Sequence, residues 1–451
     1  MQNNSNKNIL GYLPIPELIM KISLPLMISM LVQALYNIVD SMFVAKVSET
    51  ALTAVSLAFP LQNLIIAFAV GTAVGLNSYL GRKLGAGDHK SAEETAGNGI
   101  FLAVVTWLVF AFIGIFLTKP FLSLYTTDPE LLKLSLGYAR IVIILSLGCF
   151  IDITCERIMQ STGDSMHPML IQMTGAVANI ILDPIFIFVF GLGVNGAAIA
   201  TVISQFISMF LALYFVKRNH FIKIKIREIR PRKHIIKGIY EVGCPAVISQ
   251  AIGTIMVSLM NSILIGFSAT AVSIFGVYFK LQSFVFMPIF GLNAGLVAII
   301  AYNFGAGDKH RINETLRDGV LIAIAIMAFG FILFQFIPDK LLALFSASEH
   351  MLEIGIPALR IISYHFIIAG VSIILMAIYQ ATGAGYVSLI VSISRQLIVL
   401  IPSAWILGKL FGLNAVWYSF LLAEIASILI SGFFFLRIYN NKIKNLKKVS
   451  E

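Results

Sequence analysis

The sequence predicts an all-α integral membrane protein, with twelve transmembrane helices in two six-helix lobes related by a pseudo-twofold axis along the membrane normal. Three observations support this prediction. Hydrophobic residues make up 58% of the 451 residues, and only 12% are charged, about half of the roughly 25% that is typical of soluble domains. Apolar runs long enough to cross a bilayer recur along the whole chain. The second half of the chain also repeats motifs of the first half.

Each predicted span is an apolar run of about 20 residues, the length that an α-helix needs to cross about 30 Å of hydrocarbon. The polar breaks between the runs leave no room for a soluble domain. The N-terminus has no basic segment followed by a small-residue cleavage site, so no cleaved signal peptide is expected. The predicted centres of the twelve spans are Met30, Ile66, Val109, Ile144, Ile180, Phe206, Met256, Phe286, Ala325, Ile367, Val399 and Ile425.

An internal repeat relates the two halves of the chain. The sequence Gly-Ala-Gly-Asp at residues 85–88 returns at residues 305–308, an offset of 305 − 85 = 220 residues. The small-residue pair Gly71-x-x-x-Gly75 recurs at the same offset, and such spacing lets helix backbones approach closely. Further matches at this offset are Pro25 with Pro245, Leu61-Gln62 with Leu281-Gln282, Arg140 with Arg360, and Gln160-x-Thr162-Gly163 with Gln380-x-Thr382-Gly383.

The number of spans in each repeat determines how the repeats are related. Six is an even number, so both repeats begin on the same side of the membrane and are parallel. The prediction is a first lobe at residues 1–216, a linker at residues 217–237 and a second lobe at residues 238–451. A cleft between two such lobes, opening alternately to either side, is typical of secondary transporters. No filter-like loop or ring of charges points to a channel.

The net charge of +10 is concentrated on one side of the predicted spans. Residues 217–237 contain nine basic side chains and one acid, and further basic residues lie in other loops of the same side and in the C-terminal tail. Loops on the opposite side carry single lysines. The positive-inside rule therefore predicts that both termini are cytoplasmic in a bacterial cell membrane. This distribution is a topology signal that also suits contact with anionic lipids, and no nucleic-acid partner is expected.

The Gly-Ala-Gly-Asp loops have two interpretations. A glycine-rich loop beside basic residues can hold phosphate, but no strand precedes these loops and no Gly-Lys-Ser/Thr follows. A turn between spans is favoured, with glycines at positive φ and Asp88 or Asp308 at the start of the next helix. The sequence has no metal-ligand cluster and no Ser/His/Asp arrangement. It is therefore not expected to be an enzyme or to bind a cofactor, although a membrane enzyme remains a rival from another functional class.

Two acidic residues lie deep in the first lobe, Asp40 in span 1 and Asp183 in span 5. A charge in mid-bilayer costs at least about 2.5 to 3.5 kcal/mol, so these carboxylates are candidates for function. Tyr36 and Asn179 each lie four residues earlier on the same helical face. Thr201 in span 6 offers a hydroxyl. The interpretation is a site that exchanges a proton or holds Na⁺; the alternative is that both aspartates only make hydrogen bonds between helices.

Two prolines mark positions where spans can bend. Pro184 follows Asp183 directly and has no N–H, so the carbonyl of Ile180 loses its helical donor. Pro25 gives span 1 a similar point of bending. The sequence predicts that these breaks let the helices repack when the site between them is loaded.

Other polar residues within spans are candidates for lining the cleft between the lobes. Lys280 and Glu424 are predicted to pair across the second lobe, but a Lys280 facing the cleft would instead favour an anionic or zwitterionic substrate. Asp152, Glu156 and Arg157 are predicted to form a local salt-bridge cluster in span 4. The candidates for the substrate cleft are Gln33, Gln62, Lys280 and Gln282.

Several motifs together resemble the multidrug and toxic compound extrusion (MATE) family, nearest to its bacterial MepA-type branch. They are Tyr36-Asn-Ile-Val-Asp40-Ser-Met-Phe-Val, the Leu-Gly-Ala-Gly-Asp loop, Gln160-Ser-Thr-Gly-Asp164 and Asn179-x-x-x-Asp183-Pro184. The resemblance implies export of amphiphilic, often cationic compounds by antiport with H⁺ or Na⁺, and hence a part in antibiotic resistance. It also implies that the cation site consists of Tyr36, Asp40, Asn179, Asp183 and Thr201.

The resemblance leaves related functions open. A flippase for a lipid-linked oligosaccharide would need several cationic side chains in its cleft, and this chain offers few. A dedicated exporter of one metabolite is a further alternative. The expected partners are small amphiphilic molecules and membrane lipids, and the chain is expected to act as a monomer. One branch of the family has carboxylates in spans 7 and 10, but neither span has a central one here, so no second-lobe ion site is predicted.

Overall fold

The computed structural model describes residues 8–225, 229–345 and 348–448. Within these residues, ten helices are long and apolar enough to cross a membrane, and two helix pairs bent by 43° and 46° bring the total to twelve spans. The all-α membrane fold predicted from the sequence is confirmed. Spans 1 to 6 are Ile15–Ala45, Thr50–Gly85, His89–Phe116, Pro129–Ile144 with Leu147–Ser161, Met166–Val189, and Gly193–Lys217. Spans 7 to 12 are Lys233–Leu264, Ala269–Gly305, Lys309–Phe336, Glu349–Ser363 with Phe366–Ala381, Gly385–Phe411, and Leu413–Ile443.

The offset of 220 residues found in the sequence also relates the helices. Span 3 begins at His89 and span 9 at Lys309, and they end at Phe116 and Phe336, so both limits differ by 220. The short helix that follows span 3 begins at Thr118, and its counterpart after span 9 begins at Pro338. Spans 4 and 10 both bend, at positions that match this offset to within one residue. The two halves therefore share one six-span architecture.

The Gly-Ala-Gly-Asp loops are turns that start the next helix. Gly87 and Gly307 both have a φ of 72°, the left-handed conformation that glycine adopts readily. Asp88 and Asp308 then cap spans 3 and 9 by accepting hydrogen bonds from the backbone N–H groups of Ser91 and Arg311, at 3.1 and 3.2 Å. These bonds from Ser91, together with nearby Lys83, hold the pKa of Asp88 below its usual value. The turn interpretation is confirmed.

Small residues allow the two halves of the chain to touch. Span 2 lies against span 7, and span 8 lies against span 1. A Cβ atom added at Gly75 would collide with the carbonyl oxygen of Ile239, and one added at Gly295 would collide with Ser23. Gly71 and Gly291 make equally close contacts with the same two partner helices. The glycine pairs seen in the sequence therefore mark close contacts between helices of the two halves of the chain.

Each lobe receives the first part of a helix from the other half of the chain. The start of span 1, at Ile15, Leu18, Ile19 and Ile22, belongs to the hydrophobic core of the second lobe. The start of span 7, at Ile235 and Ile239, belongs to the core of the first lobe. The last parts of both spans return to their own halves, with Val44 and Leu264 as examples. Spans 1 and 7 thus cross between the lobes.

One end of the molecule, called here the basic side, carries the two Gly-Ala-Gly-Asp loops and both described ends of the chain. Here the ends of spans 2 and 8 meet across the lobe boundary. A Cβ atom on Gly85 would collide with the carbonyl oxygen of Tyr302, and one on Gly305 with that of Arg82. The Ser78 hydroxyl also donates to the carbonyl of Gln380. The lobes are therefore in direct contact on the basic side.

Candidate functional site

Spans 1, 4, 5 and 6 bring a set of polar side chains together inside the first lobe. We call this set the Asp40 cluster. Asn179, Asp183 and Thr201 are 1%, 0% and 5% exposed, although the surrounding helices are apolar. The side chains of Asp40 and Asp183 lie within hydrogen-bonding reach of each other. The members of the Asp40 cluster are Tyr36, Asp40, Tyr138, Asn179, Asp183 and Thr201.

Hydrogen bonds fix the part of the cluster that lies on spans 5 and 6. With its amide oriented for the best bonding, Asn179 donates to Asp183 Oδ2 at 2.8 Å and accepts from the backbone N–H of Thr201 at 3.3 Å. The Thr201 hydroxyl donates to the carbonyl of Ala197 at 2.9 Å. The four-residue spacing of Asn179 and Asp183 makes the first of these bonds possible, because residues at i and i+4 share a helical face.

Span 1 completes the cluster from the other side. The Tyr36 hydroxyl interacts electrostatically with Asp40 and Asp183 and lies near Thr201. Oδ1 of Asp40 is buried and has no donor among the described residues. A buried carboxylate oxygen without a donor carries a desolvation cost that a bound cation or proton removes. All five residues predicted for the cation site are therefore neighbours, with one oxygen still unsatisfied.

Tyr138 is a member of the cluster that the sequence reasoning missed. It lies on span 4, is 2% exposed, and interacts electrostatically with both aspartates. Its hydroxyl accepts a hydrogen bond of 3.0 Å from Gln62. Gln62, predicted for the substrate cleft, thus lies beside the Asp40 cluster. A comparison of the halves could have drawn attention to Tyr138, because its counterpart at the 220-residue offset is Ala358.

The helix of span 5 changes its geometry immediately after the cluster. The α-helix ends at Pro184, and Ile185–Val189 form a π-helical turn in which the N–H of Phe190 bonds to the carbonyl of Ile185 at 2.9 Å. Such turns are rare and often lie at functional sites. Pro25, in contrast, lies within an uninterrupted helix from Ile15 to Ala45. Of the two predicted bending points, only Pro184 coincides with a change of helix type here.

The cluster has the chemistry of a site for one small cation. Two carboxyl groups in hydrogen-bonding contact can share a proton, because two like charges at this distance repel each other strongly. Their oxygens, with those of Asn179 and Thr201, are also of the type that binds Na⁺. No group of three or more His, Cys, Asp or Glu residues suited to a metal ion occurs among the described residues.

The remaining cleft candidates make no hydrogen bond with the Asp40 cluster among the residues that the structure describes. The Lys280 ammonium lies 5.8 Å from the centre of the Phe345 ring. The predicted pairing of Lys280 with Glu424 is wrong, because Glu424 instead binds Arg395 at 2.8 Å. Oε1 of Gln282 is buried without a hydrogen-bond partner in the described part of the chain, whereas Gln33 is exposed. Among the described residues, Glu424 is therefore not the counter-ion of Lys280.

A second buried polar set, which we call the Glu156 cluster, lies nearer the basic side of the first lobe. The predicted salt-bridge arrangement is wrong: no ion pair joins Glu156 to Arg157 in the described structure. Arg157 donates instead to Gln160 Oε1 at 2.6 Å, and Glu156 Oε2 accepts from Gln172 at 3.0 Å. The members of the Glu156 cluster are Ser29, Asp152, Glu156, Arg157 and Gln172.

Comparisons with known proteins concern the chain as a whole. A family model described as MatE matches residues 25–185 and 245–406. The multidrug export protein MepA of Staphylococcus saprophyticus is 27% identical over 407 residues, which cover 90% of this chain and 90% of that protein. MepA of Staphylococcus aureus strain MRSA252 is 27% identical over 413 residues, covering 91% of both chains.

Solved structures agree with the family match. One, described as the outward-facing conformation of a multidrug resistance MATE family transporter of the MOP superfamily, has a TM-score of 0.93 at 26% identity, covering 98% of this chain and 100% of that one. Another is a MOP superfamily transporter from Pyrococcus furiosus, whose binding pocket is described as having reverse polarity. It has a TM-score of 0.91 at 27% identity, covering 99% of this chain and 100% of that one.

Proposed function

The chain belongs to the MatE family, and from this membership we propose that it is a secondary transporter that exports amphiphilic, often cationic compounds in exchange for H⁺ or Na⁺. Relatives named as multidrug export proteins along nine tenths of the chain support the export of varied compounds. We place it in a bacterial cell membrane as a multi-pass protein that works without a cofactor, as a monomer.

The observation that carries this proposal is the contact between Asp40 and Asp183 inside the first lobe. Two adjacent acids inside an apolar lobe are energetically costly, and we infer that a cation neutralises them during part of the transport cycle. In our scheme, span 1 repacks when the cation binds, and the cleft between the lobes loses its affinity for the drug. The carboxyl contact favours H⁺, because a proton between two oxygens accounts for it.

The orientation of the transporter follows from charge. We propose that the basic side faces the cytoplasm, because it carries the linker, the two Gly-Ala-Gly-Asp loops and the lysine-rich tail. With the lobes in contact on that side, the cleft opens outward. The likeness to an outward-facing relative supports this arrangement. We assign cation coupling to the first lobe, residues 1–216, and the linker to the predicted residues 217–237, of which those from Lys233 on belong to the helix of span 7.

One observation favours a second type of substrate. Lys280 is exposed and Glu424 already has Arg395 as its partner. If Gln33, Gln282 and Lys280 line the cleft together, a zwitterionic or anionic compound fits better than a simple cation. A lipid-linked oligosaccharide fits less well, since its pyrophosphate calls for more than one cationic side chain.

The test is efflux of a dye cation, ethidium, from proteoliposomes under an imposed pH gradient or an imposed Na⁺ gradient. Asp40→Asn and Asp183→Asn are expected to abolish gradient-driven efflux while the protein still inserts. Asp339→Asn, at an exposed position in a loop helix, is the matched control and is expected to transport normally. Full coupled efflux by the double variant of Asp40 and Asp183 would refute the role of the cluster.

A further inference from the structure

Spans 1 and 5 lie against each other and are joined by polar contacts at two levels. At one level Asp40 meets Asp183. At the other, the Ser29 hydroxyl donates to Gln172 Oε1. The separation is 40 − 29 = 11 residues on span 1 and 183 − 172 = 11 residues on span 5. Eleven residues are about three turns, so both levels lie on the same helical faces, about 16 Å apart.

The second level leads to an acid that is almost completely buried. The side-chain amide of Gln172 donates a hydrogen bond to Glu156 Oε2, and Glu156 is only 2% exposed. Oε1 of Glu156 has no hydrogen-bond partner, and neither has the buried Oδ1 of Asp152, as far as the described residues show. Asp152 and Glu156 are four residues apart on span 4 and therefore share a face. Two carboxyl groups thus each keep one oxygen unsatisfied in the same interior space.

The charge of this cluster is unbalanced. Arg157 is the basic group that acts on Glu156, and its own Nε is buried without a hydrogen-bond partner among the described residues. The other titratable groups that face the two acids are the neutral thiols of Cys149 and Cys155, on the same span. Spans 1 and 5 contribute the neutral Ser29 and Gln172, and among the described residues no charged group of spans 2, 3 or 6, which also pack on this half of span 4, acts on either acid. Two acids and one guanidinium carry a net charge of −1, which one proton neutralises.

We propose that Asp152 and Glu156 form a second proton-binding site of the first lobe, which receives the coupling proton on its way to the cytoplasm. A proton suits this site better than Na⁺, because Na⁺ takes several oxygen ligands, whereas among the described residues each of the two acids offers a single unsatisfied oxygen and a proton needs only one. The inference rests on the proposed function and specifically on coupling to H⁺.

The transfer is a simple proton relay. An O–H bond at the Asp40 and Asp183 pair breaks, water carries the proton along the interface of spans 1 and 5, and an O–H bond forms on Glu156 or Asp152. The proton then passes to cytoplasmic water, and no electrons are exchanged. Both levels share spans 1 and 5, so repacking of span 1 changes the surroundings of both sites together.

The first test counts protons. Purified protein in unbuffered detergent solution is acidified from about pH 8 to about pH 5, a range in which perturbed carboxyl groups titrate, and proton uptake is read with an indicator dye. The double variant Asp152→Asn, Glu156→Gln is expected to take up one proton fewer per chain than the wild type. Uptake equal to that of the wild type would overturn the proposal.

The second test separates proton release from other steps. Glu156→Gln is expected to slow ethidium efflux driven by a pH gradient about tenfold, yet to keep ethidium exchange at equal pH within about twofold, because exchange requires no net proton release. An equal loss in both assays would indicate a structural role and overturn the proposal, as would normal net efflux. Glu130→Gln, exposed at the other end of span 4, is the matched control.

Two further variants keep the result interpretable. Asp183→Asn, measured in parallel, reports on the proposed function itself: if it loses coupling while Glu156→Gln keeps it, only the second site is refuted. If Glu156→Gln does not fold, Gln172→Met removes the donor to Glu156 and leaves both acids in place. It is expected to change the pH at which the extra proton is taken up, and an unchanged uptake curve would contradict the proposal.

Discussion

At the scale of single residues, Tyr138 shows how neutral groups tune the site. Its hydroxyl, on span 4, accepts a hydrogen bond from Gln62 and interacts electrostatically with the two aspartates of spans 1 and 5. Such a group stabilises or destabilises a bound cation without carrying charge itself. Its contribution can be isolated because a single oxygen atom distinguishes tyrosine from phenylalanine.

We expect Tyr138→Phe to raise the cation concentration needed for half-maximal transport about fivefold, since a lost hydrogen bond is worth about 1 kcal/mol. The measurement is the efflux rate against external pH or Na⁺ concentration. Tyr125→Phe, at a tyrosine that is 57% exposed, serves as the control. A Tyr138→Phe curve that coincides with the wild type would show that the hydroxyl plays no part in cation binding.

The aspartates could be predicted because a charge at mid-bilayer depth is so costly that its presence alone indicates a site. Tyr138 could not be predicted, since tyrosine is ordinary in apolar spans and its electrostatic interaction with Asp40 joins residues almost a hundred positions apart. The Glu156 and Arg157 prediction failed for a local reason. Adjacent residues on a helix point in different directions, so Arg157 reaches Gln160, three residues away, instead.

At the scale of elements, the π-helical turn of span 5 positions Asp183. Pro184 cannot donate to the carbonyl of Ile180, and the chain resumes bonding in a wider turn. We expect Pro184→Ala to let the α-helix continue, rotate the residues after Asp183, and lower coupled efflux about tenfold. Thermal stability should stay equal or rise, because a helical N–H is restored and interior proline costs about 3 kcal/mol.

The measurements are proteoliposome efflux and the midpoint of thermal unfolding. Pro129→Ala is the matched control, because Pro129 is exposed at the first position of the span 4 helix, where proline is well tolerated. Normal efflux by Pro184→Ala would show that transport does not depend on the break in the span 5 helix. The break was foreseeable from the proline, whereas the π geometry depends on neighbouring helices such as span 6, whose Gly196 packs on the Phe186 carbonyl.

At the scale of the whole molecule, two glycines hold the basic side closed. Gly85 lies against the Tyr302 carbonyl and Gly305 against that of Arg82. We expect Gly85→Ala or Gly305→Ala to disfavour this closure by about 1 to 3 kcal/mol through overpacking, which shifts the balance of conformations about 5- to 150-fold. The result should be a protein that is more often open on the basic side.

Spin labels at Lys90→Cys and His310→Cys, both exposed on the basic side, would measure this opening as a longer distance. The background requires Cys244→Ser, since Cys244 is exposed and the other two cysteines are buried. Gly276→Ala is the control, because a Cβ atom there meets nothing within 4 Å. Distances unchanged by either basic-side substitution would mean that these contacts do not govern closure.

The architecture of the molecule could be predicted from the sequence for two reasons. Duplicated motifs recur at one fixed offset, and the length of each apolar run indicates a membrane-spanning helix. The contact between the lobes on the basic side could not be predicted from the sequence. Glycine spacing indicates that two helices approach closely, but not which helices do so or in which state of a moving molecule. Likewise, the pairing of Arg395 with Glu424 depends on how spans 11 and 12 are rotated, which the apolar pattern leaves open.

The crossing of spans 1 and 7 bears on how such a chain arose. Because each half lends the beginning of its first helix to the other, a single ancestral repeat would have lacked part of its own interior. Two copies exchanging those helix ends about a twofold axis would have supplied it. Gene fusion would then have needed only a linker between subunits that had already exchanged helix ends. After fusion, one of the two copies could lose its acidic residues.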